Sequence, residues 1–184
     1  MSVRYGLLGL LAGEAGSGYD LTRRFEEMLG SIWPAKHPQI YSELTRMANE
    51  GLIEAEAEGP RRRKEYRITD AGRAELRRWL TDVEVDHTMR LDPVLRSLFF
   101  WLMSPDELQA HFDKEADYYR TLADQYRGLA AAKDRGEFGD TPQNRAIRVT
   151  AEAGIRLYQA LADWADWAKT TPLAAPEDTR SPRP

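Results

Sequence analysis

Two long uninterrupted helical segments constrain this chain more than any other feature. The first opens at Ser104-Pro105-Asp106-Glu107, a capping box with proline in the first turn, and runs to about Lys133. Leu108, Phe112, Tyr119, Leu122, Tyr126 and Leu129 fall close to a heptad seam that Glu115 interrupts. A break over Gly136 to Thr141 follows. Thr141-Pro142 then starts a second helix ending near Lys169, with Ile147, Ala151, Gly154, Tyr158, Leu161 and Ala165 repeating at alternating threes and fours. At the α-helical rise this second helix is roughly 40 Å long. So little protein surrounds the two helices that one copy cannot bury both seams, which predicts a homodimer. Just upstream, Leu91, Val94, Leu95, Leu98, Phe99 and Leu102 form a further apolar stripe.

The first half reads differently, with helix and strand signals separated by Gly and Pro. Leu7, Leu8, Leu10 and Leu11 crowd one face of an opening helix. Gly13 to Gly18 form a turn in which Ser17 can cap the next helix, about Tyr19 to Leu29, whose Leu21, Phe25, Met28 and Leu29 have helical spacing. Gly30 is expected to close that helix in the left-handed conformation. Pro34 and Pro38 bracket a loop, with His37 a cap or loop residue and Pro38 at the first position of a third helix. In that helix Ile40, Leu44 and Met47 share one face, while Gln39, Ser42, Thr45, Arg46 and Asn49 point elsewhere; Gly51 stops it. Ile53, Ala55 and Ala57 alternating with Glu54, Glu56 and Glu58 predict a half-buried strand with a solvated acidic face. After Gly59-Pro60 a return strand carries Tyr66 and Ile68 on one face, and Thr69 caps a helix bearing Ala71, Leu76, Trp79 and Leu80. Three helices, a hairpin and a helix make a winged helix-turn-helix.

The fold expected is therefore mostly α with a small β-hairpin: a winged helix over 1–84, a helical dimerisation and effector domain over 85–170, and a disordered Pro- and charge-rich tail over 171–184. The apolar run Gly6 to Ala12 is too short to span a bilayer and lacks a small-residue cleavage site, so it reads as a core helix in a cytoplasmic protein. With no cysteine, disulfides, thiolate zinc sites and cysteine nucleophiles are excluded. His37, His87 and His111 are the only histidines and stand at no recognised ligand spacing. No phosphate loop, dinucleotide fingerprint or zincin motif occurs, so neither enzyme activity nor a metal or other cofactor is expected.

Two segments carry candidate binding chemistry. Arg61, Arg62, Arg63 and Lys64 stand consecutively at the hairpin tip, where like charges repel unless an anion approaches. Phosphates of duplex DNA meet that need, with salt-dependent affinity; a merely solvated turn is the competing reading. The helix from Pro38 to Glu50 presents Gln39, Tyr41, Ser42 and Thr45, hydrogen-bonding groups able to reach phosphates or base edges; ordinary surface polarity competes for Ser42 and Thr45. Arg46 can pair with Glu50 at i+4. A net charge of −4 runs against DNA binding, since such proteins are often basic.

Four blocks in order, Gly6-Leu7-Leu8-Gly9-Leu10-Leu11, Ser17-Gly18-Tyr19-Asp20-Leu21, Gln39-Ile40-Tyr41-Ser42-Glu43-Leu44 with Gly51-Leu52-Ile53, and Arg63-Lys64-Glu65-Tyr66-Arg67-Ile68-Thr69-Asp70-Ala71-Gly72, resemble the PadR family of transcription regulators. The long helical second half resembles the larger PadR subclass, in which it dimerises. The resemblance implies a homodimeric repressor placing two recognition helices in successive major grooves of a palindromic operator. It implies Gln39, Tyr41, Ser42, Lys64 and Tyr66 as DNA-facing; Tyr66 has a core reading too, and Tyr19 either touches the DNA backbone or packs. It also implies control by an aromatic small molecule, for which Trp101 and Tyr158 are the candidate contacts, with core and dimer packing as the alternative for both. Two other functions compete: a winged-helix protein-interaction module, and a small-molecule-binding protein that does not bind DNA.

Overall fold

The computed structural model describes residues 2–30, 32–58 and 63–172. Of the expected sites, Arg61 and Arg62 lie outside the described residues, as does the tail beyond Pro172. The chain divides into two compact units, Met1–His87 and Thr88–Pro184.

The first unit contains α1 (Ser2–Gly13), β1 (Gly16–Ser17), α2 (Gly18–Leu29), α3 (His37–Asn49), β2 (Ile53–Glu58), β3 (Arg63–Ile68) and α4 (Asp70–Thr81). Its core is built from the apolar faces the periodicity marks: Leu7, Leu8 and Leu11 of α1, Leu21 and Phe25 of α2, and Ile40, Leu44 and Met47 of α3 are all buried. A full capping box starts α2: the Ser17 hydroxyl accepts the Asp20 N–H at 3.2 Å, and the Asp20 carboxylate accepts the Ser17 N–H at 3.1 Å. The expected left-handed closure at Gly30 is not adopted. Its φ is −59°, in the right-handed region, and the Trp33 N–H donates to the Leu29 carbonyl at 2.6 Å. Left-handed closure belongs instead to Gly51 (φ 72°), which ends α3 and lets the Leu52 N–H reach the Met47 carbonyl at 2.9 Å.

The sheet has three strands in the order β1-β3-β2, both pairings antiparallel. The third strand is two residues long, Gly16 and Ser17 opposite Tyr66 and Glu65. It was not expected, because two residues carry no period. Among the described side chains of β2, Ile53 is buried and Ala55 is exposed, which corrects the half-buried reading at Ala55; the burial of Ala57 lies outside the described residues. At Glu54, Ala55 and Glu56 this outer strand has left the helical core behind. A tight joint fixes α4 to the hairpin. The Leu52 carbonyl accepts both the Thr69 N–H at 3.1 Å and its hydroxyl at 3.0 Å, while Thr69 caps α4 through the Gly72 N–H at 3.1 Å. A Cβ on Gly72 would stand 2.1 Å from that carbonyl oxygen.

Between α1 and α4, the Tyr5 ring stacks on Trp79 with centroids 4.6 Å apart. The Tyr5 hydroxyl donates to Glu75 at 2.9 Å, and Arg78 forks onto the same carboxylate at 2.8 and 2.9 Å. Arg78 first, then Tyr5, hold the Glu75 carboxyl down at about 2.

The second unit contains α5 (Asp92–Ser97), a 3₁₀ turn (Phe100–Leu102), α6 (Pro105–Asp134) and α7 (Pro142–Ala168). The capping box at Ser104 and Glu107 and the caps at Thr141 form as the residues dictate. α6 and α7 pack antiparallel, tied at intervals by Lys169–Asp113 at 2.6 Å, Arg120–Asp166, and Arg148–Asp134 at 2.9 Å. Their seam is offset from the expected one. Leu108, Phe112 and Tyr119 are buried, but Leu122, Tyr126 and Leu129 are half-buried, and the centre is lined by Ala116, Ala123 and Ala130, seven residues apart. Across it stand Ala151, Ala162, Ala165 and Ala168, so small side chains let the helices approach closely. Tyr126 lies over Gly154, where a Cβ would meet its ring at 2.7 Å. In the apolar stretch before α6 the one fully packed aromatic is Phe100; Val94, Leu95, Leu98, Phe99 and Leu102 are exposed.

Two outcomes follow. Gly72→Ala drives a methyl into a backbone carbonyl that cannot move without breaking the Thr69 cap. It should cost about 1–3 kcal/mol in urea unfolding. Glu75 binds its proton more weakly folded than unfolded, so its contribution is complete above the ordinary value of 4.5 and drains away as pH falls toward 2. Glu75→Gln should therefore flatten the acid limb of stability over that window in thermal melts, leaving the slope above pH 5 unchanged.

Candidate nucleic-acid interface

α3 is positioned by what it buries. With Ile40, Leu44 and Met47 held at 0% exposure, the helical period turns Gln39, Tyr41, Ser42, Thr45 and Arg46 outward, and all five are exposed. The helix begins one residue earlier than expected: Lys36 is the N-cap, and His37 is the first helical residue rather than a cap or loop residue. Its ring Nε2 lies 2.8 Å from a Glu26 carboxylate oxygen on α2. Gln39 has a structural task, because its side-chain oxygen accepts the Lys36 N–H at 2.9 Å; its amide nitrogen is left to face outward. Thr45 donates its hydroxyl to the Tyr41 carbonyl at 3.0 Å, so toward solvent it offers lone pairs. Ser42 has its hydroxyl on the open face.

Tyr41 is seated against the start of α2. Its ring covers Gly18 so closely that a Cβ there would lie 2.6 Å from ring carbon Cε1, yet the side chain stays 44% exposed. Tyr66 lies nearby and is different in kind. At 8% exposure it belongs to the core, which corrects its DNA-facing assignment and favours the core reading; burial pushes its phenol up. Tyr19 departs in the opposite direction: at 65% exposure it does not pack, and it stands on the surface at the first turn of α2.

On the wing, Lys64 is exposed and pairs in register with Ala57, while Arg63 is opposite Glu58. The face that carries the Arg63/Glu58 pair also sets Glu54 against Arg67 and Glu56 against Glu65, two carboxylates directly opposite each other. Arg67 stands 3.3 Å from Glu65. A phosphate backbone is repelled by that face and attracted by the Lys64 end, so the wing has an electrostatic direction.

Arg4 was not anticipated from sequence. From α1 it reaches α3, where its Nε donates to Glu43 at 2.7 Å and its two terminal nitrogens each lie 2.8 Å from a Glu50 oxygen. Arg46 pairs with the same Glu43 at 2.8 Å, and more distantly with Glu50 at 3.8 Å. Hydrogen bonding to Arg4 holds the Glu50 carboxyl below its usual value. Arg4, Glu43 and Arg46, with Val3, Pro38, Gln39 and Ser42, line an open concavity of about 450 Å³ beside α3.

In the second unit, Trp101 is 62% exposed on the 3₁₀ turn, whereas Tyr158 is half-buried on α7, stacked between Tyr119 at 6.3 Å and Tyr126 at 5.6 Å. The stack gives Tyr158 a packing role. His111 has a buried Nε2 without a hydrogen-bond partner, its ring edge-on to Phe100 at 5.0 Å. Among the described residues no His, Asp and Glu cluster fit to hold a metal occurs, and no helix is long and apolar enough to cross a membrane.

Residues 7–78 match the transcriptional regulator PadR-like family, and residues 89–171 match the virulence activator alpha C-terminal family. The negative transcriptional regulator PadR of Bacillus subtilis is 38% identical over 109 residues, 57% of this chain and 60% of its own. The probable transcriptional regulator Rv1176c of Mycobacterium tuberculosis is 40% identical over 85 residues, 45% of each chain. These alignments thus span less than two thirds of either relative. The structural likeness extends further: Bacillus subtilis PadR in complex with operator DNA superposes with a TM-score of 0.78 at 25% identity, covering 91% of this chain and 97% of that one. The same protein in complex with p-coumaric acid gives 0.74 at 26% identity over 91% and 96%. The Vibrio cholerae virulence activator AphA gives 0.70 at 26% over 91% and 95%.

Proposed function

We propose that this chain, whose residues 7–78 match the transcriptional regulator PadR-like family, is a homodimeric transcriptional repressor that binds operator DNA and is released by an aromatic small molecule. The carrying observation is the outward row Gln39, Ser42 and Thr45 on α3, beside a hairpin whose exposed Lys64 follows three arginines in sequence. The likeness to a relative solved on operator DNA supports reading that surface as the interface. In this reading α3 enters the major groove, with Gln39 and Ser42 at base edges and Tyr41 and Thr45 near phosphates. Arg61, Arg62, Arg63 and Lys64 follow the adjacent backbone.

Residues 1–84 form the DNA-binding part and 85–170 the dimerisation and effector part. Five large apolar side chains, Val94, Leu95, Leu98, Phe99 and Leu102, stay 44–68% exposed before α6, an apolar expanse that a second copy would cover. The relative solved with p-coumaric acid supports a flat aromatic effector, with exposed Trp101 as a stacking wall and Tyr158 as a second contact.

Fluorescence anisotropy on fragments upstream of the protein's own gene tests the DNA reading. Arg62→Ala, Arg63→Ala and Lys64→Ala combined should weaken binding at least about tenfold and reduce the salt slope by up to about 0.9 per lost contact. An unchanged slope contradicts it. Sedimentation should give twice the 21.0 kDa chain mass. Leu98→Glu with Leu102→Glu should yield single chains with weakened operator binding.

A further inference from the structure

We propose that Arg4 is a positioning residue for operator binding: from α1 it holds α3 by its carboxylates and cancels negative charge that the helix would otherwise turn toward phosphates. The inference rests on the DNA-binding reading above and extends it to a residue outside the helix-turn-helix and the wing. Two carboxylates of α3, half-buried Glu43 and exposed Glu50, stand on the flank of the helix that Arg4 reaches, with Glu43 beside Gln39 and Ser42, which are assigned to DNA. Uncompensated, they oppose a polyanion. Arg46 cannot offset both, and it is itself engaged by Glu43 at 2.8 Å. Arg4 supplies the missing charge, with one donor to Glu43 and a two-pronged contact to Glu50. Four charged groups of zero net charge result.

The geometry also restrains the helix. Arg4 and Glu43 side chains are only 16% and 14% exposed, so their pairing is shielded more than an ordinary surface bridge. Glu43 and Glu50 are seven residues apart, two helical turns, and both are tied to one guanidinium. Rotation of α3 about its axis or sliding along it breaks at least one of the two contacts. Arginine is needed for this, because a lysine ammonium cannot span both carboxylates with fixed donors. The concavity of about 450 Å³ leaves this network open beside Gln39 and Ser42, where the DNA backbone would approach.

Arg4→Gln, Arg4→Lys, Glu43→Gln and the pair Arg4→Gln/Glu43→Gln are titrated with the wild type's operator at 50 and 200 mM salt, after circular dichroism has shown each to be folded. Arg4→Gln is expected to bind about tenfold more weakly at the lower salt, with the deficit shrinking at the higher, since repulsion from the freed carboxylates is screened. Arg4→Lys should fall between it and the wild type. Adding Glu43→Gln should restore most of the loss, to within about threefold. Arg4→Gln binding like the wild type at both salts overturns the inference while leaving the DNA reading intact. So does a loss that neither salt nor Glu43→Gln relieves, which marks Arg4 as a fold residue only. A wild type that binds no fragment overturns both. If Arg4→Gln alone is unfolded, the comparison of Glu43→Gln with the wild type decides: equal or tighter binding is expected, and weaker binding overturns the charge argument.

Discussion

The burial of one face of α3 governs the first unit. Ile40, Leu44 and Met47 are sealed against α1 and its neighbours, and the helical period then leaves no choice about which side chains are presented. Removing any of the three would open a cavity and free the helix to turn, so the presentation of Gln39, Ser42 and Thr45 is as secure as the core beneath them. The ends are fixed independently. Lys36 and Gln39 hold the start, and Gly51 in the left-handed region ends the helix within one residue. The hairpin leaves from that point, so the wing takes its origin from the same core.

Electrostatics then shapes what this scaffold can approach. The chain is acidic overall, at −4, but the acid is not spread evenly. Along α6 and α7, arginines are matched to carboxylates by short ion pairs such as Arg148 with Asp134 and Glu152, which leave little attraction for a polyanion. On the flank of α3 that Arg4 reaches, the four charges cancel among Arg4, Glu43, Arg46 and Glu50. On the hairpin, Glu54, Glu56 and Glu65 share one face. Arg61, Arg62, Arg63 and Lys64 are four consecutive cations in the sequence, and a bulk charge count averages this contrast away.

Much of this was legible in the sequence, and the exceptions share physical causes. Helix faces were legible because 3.6-residue spacing survives in Ile40, Leu44 and Met47, and capping chemistry marked Ser17, Thr69, Ser104 and Thr141. The α6–α7 seam was displaced because alanine signals weakly: Ala116, Ala123 and Ala130 look like helix filler, yet they are where the helices meet. Strand β1 was missed because Gly16 and Ser17 are too short to show a period, and Ala55 looked buried because alternation does not tell how far a strand runs past its core. Within the candidate interface, exposure of Gln39, Tyr41, Ser42 and Lys64 was foreseeable; for Tyr66 the strand face shared with Ile68 offered the core reading that burial favours, and for Tyr19 the sequence left packing and exposure both open. Arg4 was invisible because its partners are about forty residues away, a separation no local pattern encodes.

The outer side of α3 and the adjoining wing strand form the surface proposed to meet duplex DNA. Hydrogen–deuterium exchange on the intact protein, with and without the operator fragment it binds, tests this at peptide resolution. Slowed exchange confined to α3 and β3, with α6 and the middle of α7 unchanged, is the predicted result. Protection centred on α6 and α7, with α3 exchanging as in the free protein, would contradict it.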